Sequence, residues 1–241
     1  MPVTFATKDN VAWITLDRPE AQNRITQVMV EELEGICDKI NQDSSIYVVI
    51  LTGSGSVFCA GAEGGNPVGA AAAIARVCPP VIAAINGDAL GPGLELALAG
   101  DIRLAAGHAR LGLPQVASGL IPVDGGTQRL ARIVGRGKAL ELTLTASIIT
   151  ASEALEIGLV SKVVPGEKLM ADAETLALDL ASKAPVALRF IKETVNKGLD
   201  LTLDQGLRLE ADLYFLLHTT ADRTEGVTAF LQKRPPRFTG K

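Results

Sequence analysis

The chain is poor in the side chains on which metal and triad chemistry usually depend. It has two histidines and three cysteines in 241 residues. Cys37, Cys59 and Cys78 are odd in number, far apart and without histidine clusters. They offer neither a disulfide framework nor a metal ligand set, and read as reduced thiols of a cytoplasmic protein. His108 sits in a polar turn, AAGHARLG, and reads as a surface residue. His218 ends a helical run, where a cation suits the helix dipole. Few candidates for a histidine-based triad remain. An excess of one charge is also lacking: 23 Lys and Arg stand against 27 Asp and Glu, a net −4. That balance gives no reason to expect nucleic acid or an anionic membrane as partner. No apolar run is long enough for a membrane span, and the start, MPVTFATKDN, has no signal-peptide pattern.

Apolar residues and glycine are plentiful. Hydrophobic side chains make up 47% of the chain, enough for a sizeable core. Residues 11–17 (VAWITLD) read as a strand and 30–41 as an amphipathic helix. The run 47–55 (YVVILTGSG) is a buried strand ending in a glycine turn. A helix over 70–78, a strand over 79–87, a helix over LELALAG and a strand over 101–106 follow. After Gly135 the pattern becomes almost wholly helical, at 137–144, 151–156, 168–183, 186–198, 202–217 and 222–231. Alternation of this kind predicts an α/β domain with mainly parallel strands, ligand loops at the strand ends and a helical extension. Pro185 reads as a corner between two helices.

The glycine-rich loops GSGSVFCAGAEGG and NGDALGPG follow two of the buried strands. The second leads into GPGLELALAGD, where proline between two glycines is a good helix start. Glu95 is the odd residue there. Leucines and alanines surround it, and a carboxylate in such a setting is costly without partners. It is either a first-turn charge facing solvent or an acid held in a pocket.

Three segments resemble the enoyl-CoA hydratase/isomerase (crotonase) superfamily. FCAGAEGG (58–65) resembles its first oxyanion-hole loop. PPVIAAINGDALGPGLELALAGDIRLAAGHARLGLPQVASGLIPVDGGTQRLARIVG (79–135) resembles its central signature. ADRTEGVTAFLQKRPPRF (221–238) resembles its C-terminal helix and tail, and ASEALEIGLVSKVVP between them also matches. The resemblance implies a ββα spiral core over 1–185 and a helical segment over 186–241 that covers coenzyme A and joins subunits as trimers or dimers of trimers. It implies an acyl-CoA substrate whose thioester carbonyl is polarised by two backbone N–H groups. Neither cofactor nor metal is expected, coenzyme A being part of the substrate.

Carried over by residue, the first oxyanion donor falls on Ala62, within a loop of Glu63, Gly64 and Gly65; Glu63 replaces the family's aspartate. The second falls on Pro92, which has no N–H to give; a flanking N–H from Gly91 or Gly93 is the alternative. Glu95 matches the first catalytic glutamate of the hydratases. The second hydratase glutamate is here Gln115, which bonds water or substrate but cannot exchange a proton near neutrality. Asp124 in IPVDGG is the compensating candidate for an acid–base pair with Glu95; the plainer reading is an Asx turn before two glycines. Arg24, Phe230 and Lys233 match positions that contact coenzyme A, the plainer readings being solvated charges and a core aromatic. The span from Ala62 to Pro80 is short, mostly glycine and alanine (GGNPVGAAAAIA), and suggests a more open or differently shaped acyl site, for a branched or cyclic group. Hydration or double-bond isomerisation is expected. The alternatives are carbon–carbon bond hydrolysis, as in some superfamily members, and acyl-CoA binding without catalysis.

Overall fold

The computed structural model describes residues 1–65 and 67–241. Its strands are β1 (Val3–Lys8), β2 (Val11–Leu16), β3 (Val48–Gly53), β4 (Val81–Ile85), β5 (Ala89–Leu90), β6 (Ile102–Ala106), β7 (Arg110–Gly112), β8 (Ile148–Thr150) and β9 (Lys162–Val164). Its helices are α1 (Gln27–Gln42), α2 (Ala70–Ala75), α3 (Pro92–Leu98), α4 (Gly126–Leu144), α5 (Ala151–Glu156), α6 (Leu169–Ala181), α7 (Pro185–Gly198), α8 (Leu203–Leu217) and α9 (Ala221–Leu231).

The main sheet runs β1-β2-β3-β4-β6-β9 and is parallel from β2 onward. Every residue of β3 and β4 is buried, as expected for parallel strands covered on both faces. Alternation divides them: Val49 and Leu51 join a core under α1, α2 and α3, whereas Val48 and Ile50 face Leu169, Ala173 and Ala177 of α6. A smaller sheet, β5-β7-β8, carries the start of α3.

The sequence pattern missed β1, which pairs antiparallel with β2. Its turn residues, Asp9 and Asn10, have φ of 51° and 64°. A two-residue turn with both φ positive matches the twist of a hairpin and suits Asp and Asn. The stretch after Gly135 is also less helical than its composition suggests, since β8 and β9 lie within it. Each has three residues, too few to show a period. α4 begins at Gly126, and Gly135 (φ 78°) only kinks it.

α7 is anchored to the sheet. Lys192 donates to the Pro79 carbonyl at 3.0 Å and pairs with Asp101 at 2.7 Å, while Arg189 reaches the Ile46 carbonyl at 3.2 Å. Behind α9 the tail is held by Asp222, whose carboxylate accepts from the N–H groups of Thr239 and Gly240. Leu213 of α8 turns inward, whereas Leu201, Leu203, Leu207, Phe215 and Leu216 remain exposed. Among the described residues no helix is long and apolar enough to cross a membrane.

The loop before α1 is fixed by Asn23, fully buried and left-handed at φ 53°. Its Oδ1 accepts from the Arg18 N–H, and its Nδ2 donates to the carbonyls of Ser54 and Val57 at 2.9 and 2.7 Å. Asn23→Ala should therefore lower the unfolding free energy by about 3 kcal/mol, because buried polar groups lose their partners. Urea unfolding at equilibrium measures this, and a loss below about 0.5 kcal/mol, the ordinary surface range, would contradict the assignment.

Candidate active site

The site forms where the loops after β3 and β4 run side by side. Cys59 donates its N–H to the Asp88 carbonyl at 2.9 Å and accepts from the Leu90 N–H at 3.0 Å. Asn86 ties the same loops, accepting from the Gly53 N–H and donating to the Gly55 carbonyl. A Cβ on Gly93 would lie 2.0 Å from the Cys59 carbonyl oxygen, so only glycine lets α3 approach this closely. On the other side the first loop is zipped to residues 22–25: Ala60 donates to Gln22, Ile25 to Gly61 and Glu63 to Ile25.

α3 is buried from Gly93 to Leu98, which settles the place of Glu95: it is 1% exposed. Its Oε1 accepts from the N–H groups of Asp124 at 2.7 Å and Gly126 at 3.0 Å, and its Oε2 from Gln115 Nε2 at 3.3 Å. Burial pushes its carboxyl above the ordinary 4.5; the two N–H donors and Arg129 pull the other way, and the Asp124 charge adds to the rise. Gly126 must lack a side chain, because a Cβ there would come within 3.0 Å of the Glu95 carboxyl.

Gln115 is thus brought to Glu95. Only its NH2 end can face a carboxylate, so its Oε1 is the end left over, and that atom is buried with no hydrogen-bond partner among the described residues. Asp124 departs from its expected role. Its Oδ2 accepts from the N–H groups of Gly69 and Ala71 at 3.1 and 2.7 Å, and its Oδ1 from Ala72 at 3.2 Å. A carboxylate gripped by three first-turn donors of a helix is a cap rather than an open acid–base group. Asp124 touches Glu95 through its backbone alone.

Pro92 is the first residue of α3 and has no N–H. Of its neighbours, Gly91 donates its N–H to the Gly112 carbonyl at 2.9 Å. The N–H groups of Ala62 and Gly93 have no hydrogen-bond partner among the described residues. Glu63 points away to pair with Arg18 at 2.8 Å, while Gly64 and Gly65 continue the turn with φ of 75° and 118°. An open groove of about 730 Å³ lies beside them, bounded by Arg18, Thr26, Gln27 and Gly64. Arg24 is exposed, and among the described residues its guanidinium donates only to Gln22 Oε1, at 3.2 Å. Phe230 and Lys233 are exposed too, and no hydrogen bond joins them to these loops among the described residues. Phe230 is no core aromatic; with α9 it lines a separate apolar groove of about 370 Å³ that does not reach Glu95. His108 and His218 are both exposed. Cys59, beside the site, is pushed up to about 11 by burial and is an inert thiol.

Sequence reasoning missed Asn23, Gly126, Arg18 and Arg129. Arg129 donates to the Asp124 carbonyl at 2.7 Å. The pair of glycines after Asp124 was the only visible signal, and it reads as an ordinary turn until Glu95 is placed against it.

The sequence pattern of the enoyl-CoA hydratase/isomerase family matches residues 6–71 and 69–241. A short-chain-enoyl-CoA hydratase of Clostridium acetobutylicum is 40% identical over 250 aligned residues, covering 96% of this chain and 95% of its own. A crotonyl-CoA hydratase of Syntrophomonas wolfei is 38% identical over 255, covering 99% and 98%. That alignment is longer than the 241-residue chain, so the relative carries residues that this chain lacks. The crystal structure of an enoyl-CoA hydratase from Bacillus anthracis superposes with a TM-score of 0.96 at 39% identity, covering the whole of both chains.

A raised carboxyl binds its proton more tightly in the folded than in the unfolded chain. Stability from Glu95 is therefore full below its ordinary 4.5 and is lost as the pH rises through the raised value. Glu95→Gln cannot ionise and keeps an acceptor oxygen for the two N–H groups. It should match the wild type in melting temperature at about pH 4 and exceed it at about pH 8. Thermal melts at both pH values test this, and a wild type that melts higher at about pH 8 would be the contrary result.

Proposed function

The chain belongs to the enoyl-CoA hydratase/isomerase family, and on that premise we propose that it hydrates or isomerises a short-chain enoyl-CoA through an enolate held by backbone N–H groups. The observation that carries the reading is Glu95: a buried carboxyl with raised proton affinity, between two loops that leave unpaired N–H groups. Such a group suits proton transfer near neutrality. The short acyl chain is supported by the names of the two hydratases above and by the alanine-rich α2 over α3. Nothing in the geometry favours the branched or cyclic acyl group suggested by the sequence.

In this scheme Ala62 and Gly93 give their N–H groups to the thioester oxygen, in place of the donor lost at Pro92. For hydration, Glu95 takes a proton from water as the water oxygen bonds the β-carbon. The electron pair of the double bond moves onto the thioester oxygen, and Glu95 returns its proton to the α-carbon. Gln115 Oε1, the unpaired acceptor, orients the water and does not deprotonate it. One ionisable group then moves the proton in both directions, which equally serves a shift of the double bond. The chemistry uses protein groups and water alone.

The exposed apolar residues of α7 to α9, among them Ile191 (61%), Leu203 (78%), Phe215 (68%) and Phe230 (83%), support a trimer or dimer of trimers, in which Phe230 and Lys233 reach the coenzyme A of a neighbouring subunit. Light scattering at micromolar concentration should give three or six subunits; a monomer would contradict it.

Turnover of crotonyl-CoA and of a 3-enoyl-CoA, followed by loss or gain of the conjugated thioester chromophore, tests the chemistry. Glu95→Gln should lower kcat by about 100- to 10,000-fold with little change in acyl-CoA affinity. Pro92→Gly returns an oxyanion donor and should raise kcat, up to the ~100-fold such a donor is worth. Binding without turnover in the wild type would favour an acyl-CoA-binding protein instead.

A further inference from the structure

We propose that Asp124 is a positioning residue that fastens the shortened cover of the site to Glu95 and thereby confines the protein to short acyl groups, an inference that rests on the enoyl-CoA reading above. The cover is α2. It has six residues, too few to be stable without tertiary support. Its N-cap, Gly69, has no side chain with which to satisfy the first-turn N–H groups. Asp124 satisfies them from 52 to 55 positions away in sequence, giving three charge-assisted bonds to Gly69, Ala71 and Ala72. Its own N–H donates to Glu95 Oε1 at 2.7 Å, and its carbonyl is held by Arg129 at 2.7 Å. One residue thus ties cover, acid and α4 together.

The two parts of the family match meet at residues 69–71, where this clamp grips, and a relative aligns with residues that this chain lacks. α2 is fixed at its start and tied through Asp124 to Glu95. Ala70, Ala71 and Ala73 are buried between α1 and α3. To admit a longer acyl chain under α2, the helix would have to leave Asp124 and expose three N–H groups.

Asp124→Ala and Asp124→Asn test the proposal, with two readouts. In Asp124→Ala, hydrogen exchange at residues 69–72 should quicken by about tenfold or more as the cover opens locally. The kcat/KM ratio of crotonyl-CoA to 2-octenoyl-CoA should fall by about tenfold, a typical discrimination for chain length. Asp124→Asn keeps one acceptor oxygen and should exchange at an intermediate rate. It also removes a charge that raises the Glu95 carboxyl, so the acid limb of its kcat profile should move to lower pH. The charged groups facing Glu95 are Asp124, before α4, and Arg129, on α4; α2 presents only alanines and Ile74. A merely structural role would leave that limb in place. Unchanged exchange in Asp124→Ala would overturn the clamp. So would loss of all turnover in both variants with exchange unaltered, the signature of a direct acid–base group. If the wild type turns over none of these thioesters, the enoyl-CoA reading fails while hydrogen exchange still decides whether Asp124 clamps α2.

Discussion

The site depends on one buried carboxylate held by backbone N–H groups. Glu95 lies in a helix with no exposed face, and a charge there without donors would be expelled or neutralised. The N–H groups of Asp124 and Gly126 meet it, and the chain supplies them by turning tightly enough to place α4 against α3. The two donors restrain the rise that burial alone would cause. The same contact requires the second glycine of the turn, Gly126, since a side chain there would occupy the space of the carboxyl.

Around that contact the protein replaces side-chain chemistry with backbone chemistry. Gln115 offers an NH2 donor and an acceptor oxygen but exchanges no proton near neutrality. Pro92 starts α3 well and has no N–H to give, and among the described residues the N–H groups of Ala62 and Gly93 stay unpaired. Asp124, an apparent partner acid, is absorbed into capping a helix whose own N-cap is a glycine. Glu95 remains at the centre, and the surrounding polar atoms place it.

The C-terminal helices follow a different logic. Lys192 and Arg189 tie α7 to the ends of the strands, and Asp222 gathers the tail, so this segment is anchored to its own core. Many apolar side chains on it nevertheless remain exposed, from Ile191 through Phe230. Polar bonds, rather than burial of these side chains, fix the position of the segment.

Much of the architecture was legible in the sequence, because buried parallel strands and amphipathic helices imprint their periods on stretches of useful length. β3, β4, α1 and α6 to α9 all show this. The three-residue strands β8 and β9 are too short to carry a period, and β1 was missed because only Val3 of its six residues is buried. Residue types also bounded the site. Glu95 among leucines, glutamine at 115 and proline at 92 each restrict what chemistry is available, since proton affinity and N–H count are properties of the residue itself. What Asp124 does was decided only by the tertiary structure. Aspartate serves equally as acid, turn former or cap, and the choice depends on which donors stand within hydrogen-bonding distance of its oxygens. Those donors, at 69 to 72, are more than fifty residues away in sequence, and no local pattern can report on a partner that only folding brings near.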